Sequence, residues 1–166
     1  MIILLSLLSS AFFSGMEIAY VSSNRLNLEI EKKQKGLIPK LLSIITKDPS
    51  RFISTMLIGK SFALVIYGLF MGQFIIDNLS FLFLPSMNEL TILLLQTIIS
   101  TSLILIAAEF IPKVLFQIYS NLSMKIFSIP AFIFYVILYP ITSLVTITSN
   151  FILKTFFKVT NQESQF

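Results

Sequence analysis

The sequence predicts an all-α membrane protein with three transmembrane helices. Two observations support this prediction. First, 55% of the 166 residues are hydrophobic and 12% are charged, whereas about 25% of residues are charged in a soluble domain; the mean hydropathy is +0.89. Second, three apolar segments have the length, roughly 20 residues, that a helix needs to cross a bilayer. We also expect amphipathic juxtamembrane helices and a Pro-kinked C-terminal hydrophobic helix or re-entrant hairpin.

The three apolar segments run from Met1 to Ser22, from Phe52 to Ile76 and from Leu90 to Ala108. For the first, a spanning helix is favoured over a signal peptide. A signal peptide begins with basic residues, whereas Glu17 is the only charged side chain in this segment. The third segment carries no charge. Residues 77–89, between the second and third segments, contain no basic side chain, which fits an exterior loop.

The segment between the first two spans is basic. Seven Lys or Arg side chains accompany three acidic ones from Arg25 to Arg51. An excess of basic residues marks cytoplasmic loops, so we expect a multi-pass protein of the plasma (inner) membrane with its N-terminus outside and its C-terminus in the cytoplasm. The apolar spacing predicts two short amphipathic helices split at Gly36–Pro39. Asp48 or Ser50 is expected to cap the second span.

Two further helices are predicted after the third span. Ile111 to Ser128 has polar residues spaced by four, which favours an amphipathic helix in the interface plane that ends at Ile129-Pro130. Ala131 to Leu153 is predicted to form a hydrophobic helix kinked at Pro140. Because basic residues flank it on both sides, a re-entrant or half-inserted hairpin is favoured over a full crossing.

Two isolated carboxylates indicate a functional site. Glu17 lies within the first apolar segment and Glu109 closes the third, each near a residue that loosens a helix, Gly15 or Pro112. A charged side chain in lipid is costly and is a functional-site hypothesis by default. The chain has no His and no Cys, which leaves oxygen ligands and hard cations and makes an enzyme the least favoured class. The basic residues lie beside membrane segments, so the net charge of +4 does not indicate nucleic acid.

These features also have simpler structural interpretations. Glu17 is also explained by an ion pair with Lys60 inside the bundle, and Glu109 by a capping role at the start of the next helix. The hydroxyl-rich stretch Thr142–Ser149 fits helix packing better than an ion path. The Phe-rich faces fit contact with lipid or with a second copy.

Five short motifs occur in the order Phe13–Ala19, Ser23–Leu26, Asp48–Phe52, Leu57–Gly59 and Glu109–Lys113. Together they resemble the transmembrane domain of the CNNM/CorC family of magnesium transporters, whose members are also described as hemolysin-related or gliding-motility-associated membrane proteins. The resemblance covers almost the whole chain. It implies a homodimeric membrane domain, here residues 1–160 with a polar tail at 161–166. The cytoplasmic CBS domains of the family are absent from these residues.

The resemblance also implies a site for dehydrated Mg²⁺ as the transported ion. In the family this ion lies among the Ser-Gly kink of the first span, an asparagine after the Ile-Gly of the second, and the Glu-x-x-Pro kink of the third. Kinks free backbone carbonyls for the shell of about six oxygens that Mg²⁺ requires. The corresponding metal positions in this chain are Ser14, Gly15, Gly59 and Glu109, with Ser10 one helical turn before Ser14 on the same face. Glu109 is the expected anionic ligand, and the serines are expected to supply hydroxyl or carbonyl oxygens, supported by Glu17 and Pro112.

One position departs from the family pattern. Where the family reads Ile-Gly-Asn-Asn, this chain reads Ile58-Gly59-Lys60-Ser61. A lysine ammonium has three donors and no acceptor, so it cannot ligate a cation. Beside Glu109 or Glu17, Lys60 would act as a built-in counter-ion and repel Mg²⁺. The other interpretation is that Ser61 takes over the ligand role and Lys60 turns away.

These residues support two functions. The first is an ion transporter that exports a divalent cation, Mg²⁺, with Na⁺ as a candidate coupling ion. The alternative is a non-transporting membrane anchor or sensor in which Lys60 substitutes for the bound cation. The lipid bilayer is a partner in both.

Overall fold

The computed structural model describes residues 1–78 and 88–157, and the side chains of that part up to residue 148. Within these ranges the chain is helical and contains no strand, which confirms the predicted all-α class. The helices are α1 (Ile2–Ser22), α2 (Arg25–Lys32), α3 (Leu37–Ile45), α4 (Pro49–Asn78), α5 (Glu89–Ile104), α6 (Ile111–Ile118), α7 (Ser120–Ile126), α8 (Ser128–Ile137) and α9 (Tyr139–Phe157), with a π-helical turn at Leu105–Phe110 between α5 and α6. The predicted polar tail at 161–166 and most of the connector at 77–89 lie outside the described residues.

Three helices in the described part of the chain are long and apolar enough to cross a membrane, which confirms the predicted number of spans. They are Ile2–Ser22, Pro49–Asn78 and Glu89–Ile118. The second span begins three residues before Phe52, and Asp48 caps it, because Asp48 Oδ1 accepts the backbone N–H of Arg51 at 3.0 Å. The third span continues past Ala108, through the π turn and into α6.

Two short juxtamembrane helices follow α1, as predicted. Asn24 caps α2, because its side-chain oxygen accepts the backbone N–H groups of Leu26 and Asn27. Gly36 separates α2 from α3 with φ of 148°, a conformation that favours glycine. Pro39 is not part of this break, because it lies in the first turn of α3, where a missing N–H does little harm.

The prediction of one helix from Ile111 to Ser128 is wrong. α6 continues the third span, and α7 is a separate helix that begins after a turn at Tyr119. A second break at Phe127 leaves α7 and α8 bent by 65°, which is the geometry of a broken span or a re-entrant loop. This break precedes Pro130, which lies in the first turn of α8.

The hydrophobic helix expected from Ala131 to Leu153 is also divided. α8 ends at Ile137 and α9 begins at Tyr139, with a turn at Leu138 between them. The predicted kink therefore falls just before Pro140, which is the second residue of α9. The predicted kink within one helix is thus a break between two helices, α8 and α9.

α1 is the central helix of the bundle and packs against α4, α6, α7 and the π turn. Phenylalanine rings fill much of this contact. Phe13 meets Phe134 edge-on with 4.8 Å between ring centres, and Phe116 stacks on Phe127 at 5.2 Å. Phe12 lies within 6 Å of Phe127 and Phe134, at 5.9 Å and 5.8 Å. The expectation that Phe-rich faces meet only lipid or a second copy is wrong for these rings, which pack within the bundle.

α5 lies at the outside of the bundle. None of its residues is buried. It is held to α4 by the Tyr67 hydroxyl, which donates to the Ser100 carbonyl at 3.2 Å, and by the close approach of Gln96 to Gly72. Large apolar side chains such as Leu90 are exposed on its other face, so this face is suited to lipid.

Candidate cation site

Lys60 on α4 and Glu109 in the π turn form an ion pair, in which Lys60 Nζ donates a hydrogen bond to Glu109 Oε1. The side chains are 16% and 26% exposed, respectively, so both charges lie mostly within the bundle. Glu17 is half-buried. Within the described chain it has no hydrogen-bond or ion-pair partner, so Lys60 pairs with Glu109 and not with Glu17.

Lys60 is positioned by the glycine that precedes it. Phe13, which is 4% exposed, lies so close to Gly59 that a Cβ at position 59 would overlap its ring. Only glycine at this position lets α1 and α4 approach so closely, so the contact helps to fix the register of α4 along α1. The register of α4 determines which part of the third span lies beside Lys60.

Glu109 is positioned by the π turn. The backbone N–H of Ile111 donates to the carbonyl five residues earlier, and Pro112 has no N–H to supply the bond that Ala108 would accept in a regular α-helix. Single π turns inside α-helices are frequent at functional sites. The third span therefore has a loosened backbone beside Glu109, whereas α1 is a continuous helix through Gly15.

Ser10 and Ser14 provide two buried hydroxyl groups. They are 1% and 0% exposed, and neither hydroxyl has a hydrogen-bond partner in the described chain. A serine inside a helix ordinarily bonds to a carbonyl of the preceding turn, as Ser6 does to Ile3 at 2.9 Å. Buried polar atoms without partners are uncommon. α1, which carries both serines, packs against the π turn that carries Glu109.

The remaining predicted metal positions have other surroundings. A Cβ at Gly15 would lie 2.7 Å from the ring of Phe116, so Gly15 allows α6 to pack closely on α1. Ser61 is exposed, and its hydroxyl donates to the Leu57 carbonyl at 3.0 Å. The structure therefore directs Lys60, and not Ser61, towards Glu109.

The available oxygens can be compared with the needs of Mg²⁺. This ion requires about six oxygens in near-octahedral geometry. Among the described residues, no three acidic side chains lie close enough together to hold a metal. Glu109, the serine hydroxyls and backbone carbonyls are suitable oxygens, but the Lys60 ammonium already binds the carboxylate of Glu109.

The sequence did not reveal how the end of α1 and the start of α2 attach to α7, the helix that follows the third span. The backbone N–H of Asn24 donates to Asn121 Oδ1 at 3.1 Å, and the Ser120 hydroxyl donates to the Ser22 carbonyl at 3.3 Å. The adjacent polar residues Ser120 and Asn121 were the available signal in the sequence. These contacts place the ends of α1 and of the third span on the same side of the membrane.

The fold and the site define a multi-pass membrane domain of the ion-transport type, with a carboxylate held in a loosened turn of the third span. The chain belongs to the CNNM family, because the family model described as the Cyclin M transmembrane N-terminal domain matches residues 1–166. This family is associated in general with membrane Mg²⁺ transport and is not a known enzyme family. A comparison with curated proteins found no match.

Proposed function

We propose that this chain is a CNNM-type domain in which the Lys60 ammonium takes the place of the cation beside Glu109. On this proposal the domain is a membrane anchor or sensor that does not transport, and Mg²⁺ binds at Glu109 weakly or not at all. The observation that carries the proposal is the Lys60–Glu109 ion pair.

The physical reason is competition for one carboxylate. A tethered ammonium needs no entry path, whereas Mg²⁺ gives up its water shell reluctantly. Two unit charges of like sign 4 Å apart repel by about 4 kcal/mol at the dielectric typical of pairs near a protein surface, and a divalent ion doubles that figure. Mg²⁺ would therefore bind Glu109 only if Lys60 moved away.

A second function is favoured by the two buried hydroxyl groups. Ser10 and Ser14 have no partner in the described chain, as expected of ligands awaiting a cation. On this alternative the domain exports Mg²⁺, with Na⁺ as a candidate coupling ion, and Lys60 leaves Glu109 during each cycle. Either function is compatible with the proposed homodimer, the N-terminus outside and the C-terminus in the cytoplasm.

Isothermal titration with Mg²⁺ tests the first proposal. We expect no measurable binding by the wild type and binding at least roughly tenfold tighter after Lys60→Asn, because one positive charge beside the carboxylate is removed. Lys113→Asn is the matched control, since Lys113 lies one helical turn from Glu109 and makes no hydrogen bond to it in the described structure. Equal and tight binding by the wild type and Lys60→Asn would disprove the proposal.

Cation flux into proteoliposomes separates the two functions. A non-transporting domain gives the same Mg²⁺ flux as empty liposomes, and Glu109→Ala changes nothing. A wild-type flux that Glu109→Ala abolishes would favour the transporter instead.

A further inference from the structure

The outer face of α3 carries apolar side chains that the described part of the protein does not cover. Leu37 and Ile44 are 78% and 46% exposed, and residues seven apart lie on the same side of an α-helix. Another side of α3 is packed, because Leu42 and Ile45 are 0% exposed and belong to the buried cluster that also contains Phe52 of α4. The apolar surface of α3 is therefore wider than the area that its protein contacts occupy.

α3 lies level with the end of the second span. α3 ends at Ile45 and α4 begins at Pro49. Phe52, in the first turn of α4, belongs to the same buried cluster as Ile45. An uncovered apolar face at this level is typical of a helix that lies in the plane of the membrane surface.

The basic side chains around α3 include lysines that are not neutralised by the protein. Each acidic side chain of the segment between the first two spans already forms an ion pair, and these pairs are Glu29–Lys32, Glu31–Lys125 and Asp48–Arg51. The other lysines of this segment are exposed and have neither a hydrogen bond nor an ion pair among the described residues: Lys33, Lys35, Lys40 and Lys47. Lys40 comes three residues after Leu37 and four before Ile44, so it lies beside both apolar side chains on the helix surface.

We infer that the outer face of α3 lies on an anionic bilayer surface, with Leu37 and Ile44 among the first acyl carbons and Lys40 at the lipid phosphates. The stem of a lysine is apolar, so its ammonium can reach the headgroups while the stem stays beside apolar side chains. Exposed lysines and anionic phosphates are complementary in charge, and the bilayer that surrounds α4 is already present at this level. An acidic soluble partner would match the lysines but would have to displace the lipid beside Leu37 and Ile44. This surface is separate from the Lys60–Glu109 pair, so the inference does not depend on whether the domain transports.

Tryptophan fluorescence in lipid vesicles tests the position of this face. The chain contains no Trp, so one substitution gives a single reporter. In vesicles that contain phosphatidylglycerol, we expect bromine atoms on the acyl chains to quench Leu37→Trp strongly and aqueous acrylamide to quench it weakly. Ser43→Trp is the matched control, because Ser43 is exposed on the same helix but is turned about 100° away from Ile44. It should show the opposite preference for the two quenchers, and circular dichroism checks that each variant is folded.

The same reporter measures the lipid preference of the face. In Leu37→Trp, brominated phosphatidylglycerol should quench more than brominated phosphatidylcholine at equal mole fraction. Adding Lys40→Gln should lower this preference about fivefold, the effect of one basic group near the membrane. Lys113→Gln is the charge control, because it removes a lysine from α6 instead of from α3, and it should leave the preference unchanged.

Three results would overturn the inference. Acrylamide quenching of Leu37→Trp as strong as that of Ser43→Trp would show that the face points to water, where a soluble partner could bind. Equal quenching by the two brominated lipids would show that the face does not distinguish headgroup charge. Equal losses of preference in Lys40→Gln and Lys113→Gln would show that the attraction is not local to α3.

Discussion

The ring of Phe13 on α1 lies directly against Gly59 on α4. This contact joins the first two spans at the position next to Lys60. Both sides of the contact are buried, so the position has no room for an additional methyl group.

Gly59→Ala is therefore expected to destabilise the bundle, by about 1–3 kcal/mol, the usual cost of overpacking. The free energy of unfolding in mixed detergent micelles measures the effect. Gly68→Ala is the control, because no atom of the described residues lies within 4 Å of a Cβ at that position of the same helix. That change should stabilise α4 by about 0.5–1 kcal/mol. Equal effects of the two substitutions would show that the Phe13 contact does not limit position 59.

The Lys60–Glu109 pair should behave as a unit. Lys60→Met alone or Glu109→Met alone leaves one mostly buried charge without a partner. Because both side chains are partly exposed, we expect each to cost about 1–3 kcal/mol, less than the 3–5 kcal/mol of a fully buried pair. The double variant should recover most of the loss in the same unfolding assay. A double variant as unstable as the sum of the singles would contradict the pairing.

Thr55 and Thr142 link α4 to α9, with their hydroxyl oxygens 3.2 Å apart and both side chains fully buried. Hydrogen bonds between membrane helices contribute about 0.6 kcal/mol on average. A double-mutant cycle of Thr55→Val and Thr142→Val should return a coupling of about that size. Thr148→Val is the control, because Thr148 is exposed and, among the described residues, its hydroxyl bonds only to the Leu144 carbonyl of its own helix. Coupling of Thr55 to Thr148 as large as to Thr142 would refute this link.

Asn24 both caps α2 and contacts α7. Asn24→Ala should remove the cap at a cost of about 1 kcal/mol, whereas Asn24→Asp should retain it. Amide hydrogen exchange at Leu26 and Asn27 reports the cap directly, since both N–H groups donate to the Asn24 side chain. Asn121→Ala should leave those two amides protected and expose the Asn24 amide. Faster exchange at Leu26 in Asn24→Asp would show that the side-chain oxygen is not the cap.

The fold class and the three spans were predictable, because an apolar run of bilayer length leaves the backbone little choice but a helix. The boundaries at prolines were not. Pro39, Pro130 and Pro140 were expected to end or kink helices, yet each lies in the first turn of a helix. Proline is tolerated there because the N–H groups of the first turn have no partner within the helix. The break accordingly precedes the proline.

The site was predictable in its residues and not in its pairing. Glu109, Pro112 and Lys60 could be singled out because a charge or a proline in an apolar run is rare. Which carboxylate Lys60 would meet depends on the register of α4 against its neighbours, and that register follows from the contact of Gly59 with Phe13. The spacing of residues in the sequence does not predict that an aromatic ring will pack against a particular glycine. The π turn was likewise indicated only by Pro112, which marks a loosened helix without specifying its form.

α4 contains 30 residues, so at 1.5 Å per residue its axis is about 45 Å long. The hydrocarbon core of a bilayer is about 30 Å thick, and a helix longer than the core accommodates the difference by tilting or by extending into the headgroups. α4, which carries Lys60, is therefore longer than the hydrocarbon core is thick, so its tilt should depend on the acyl chain length of the surrounding lipids. We expect α4 to tilt more in a thin membrane than in a thick one. α1 should tilt with α4, because the ring of Phe13 on α1 packs against Gly59 on α4.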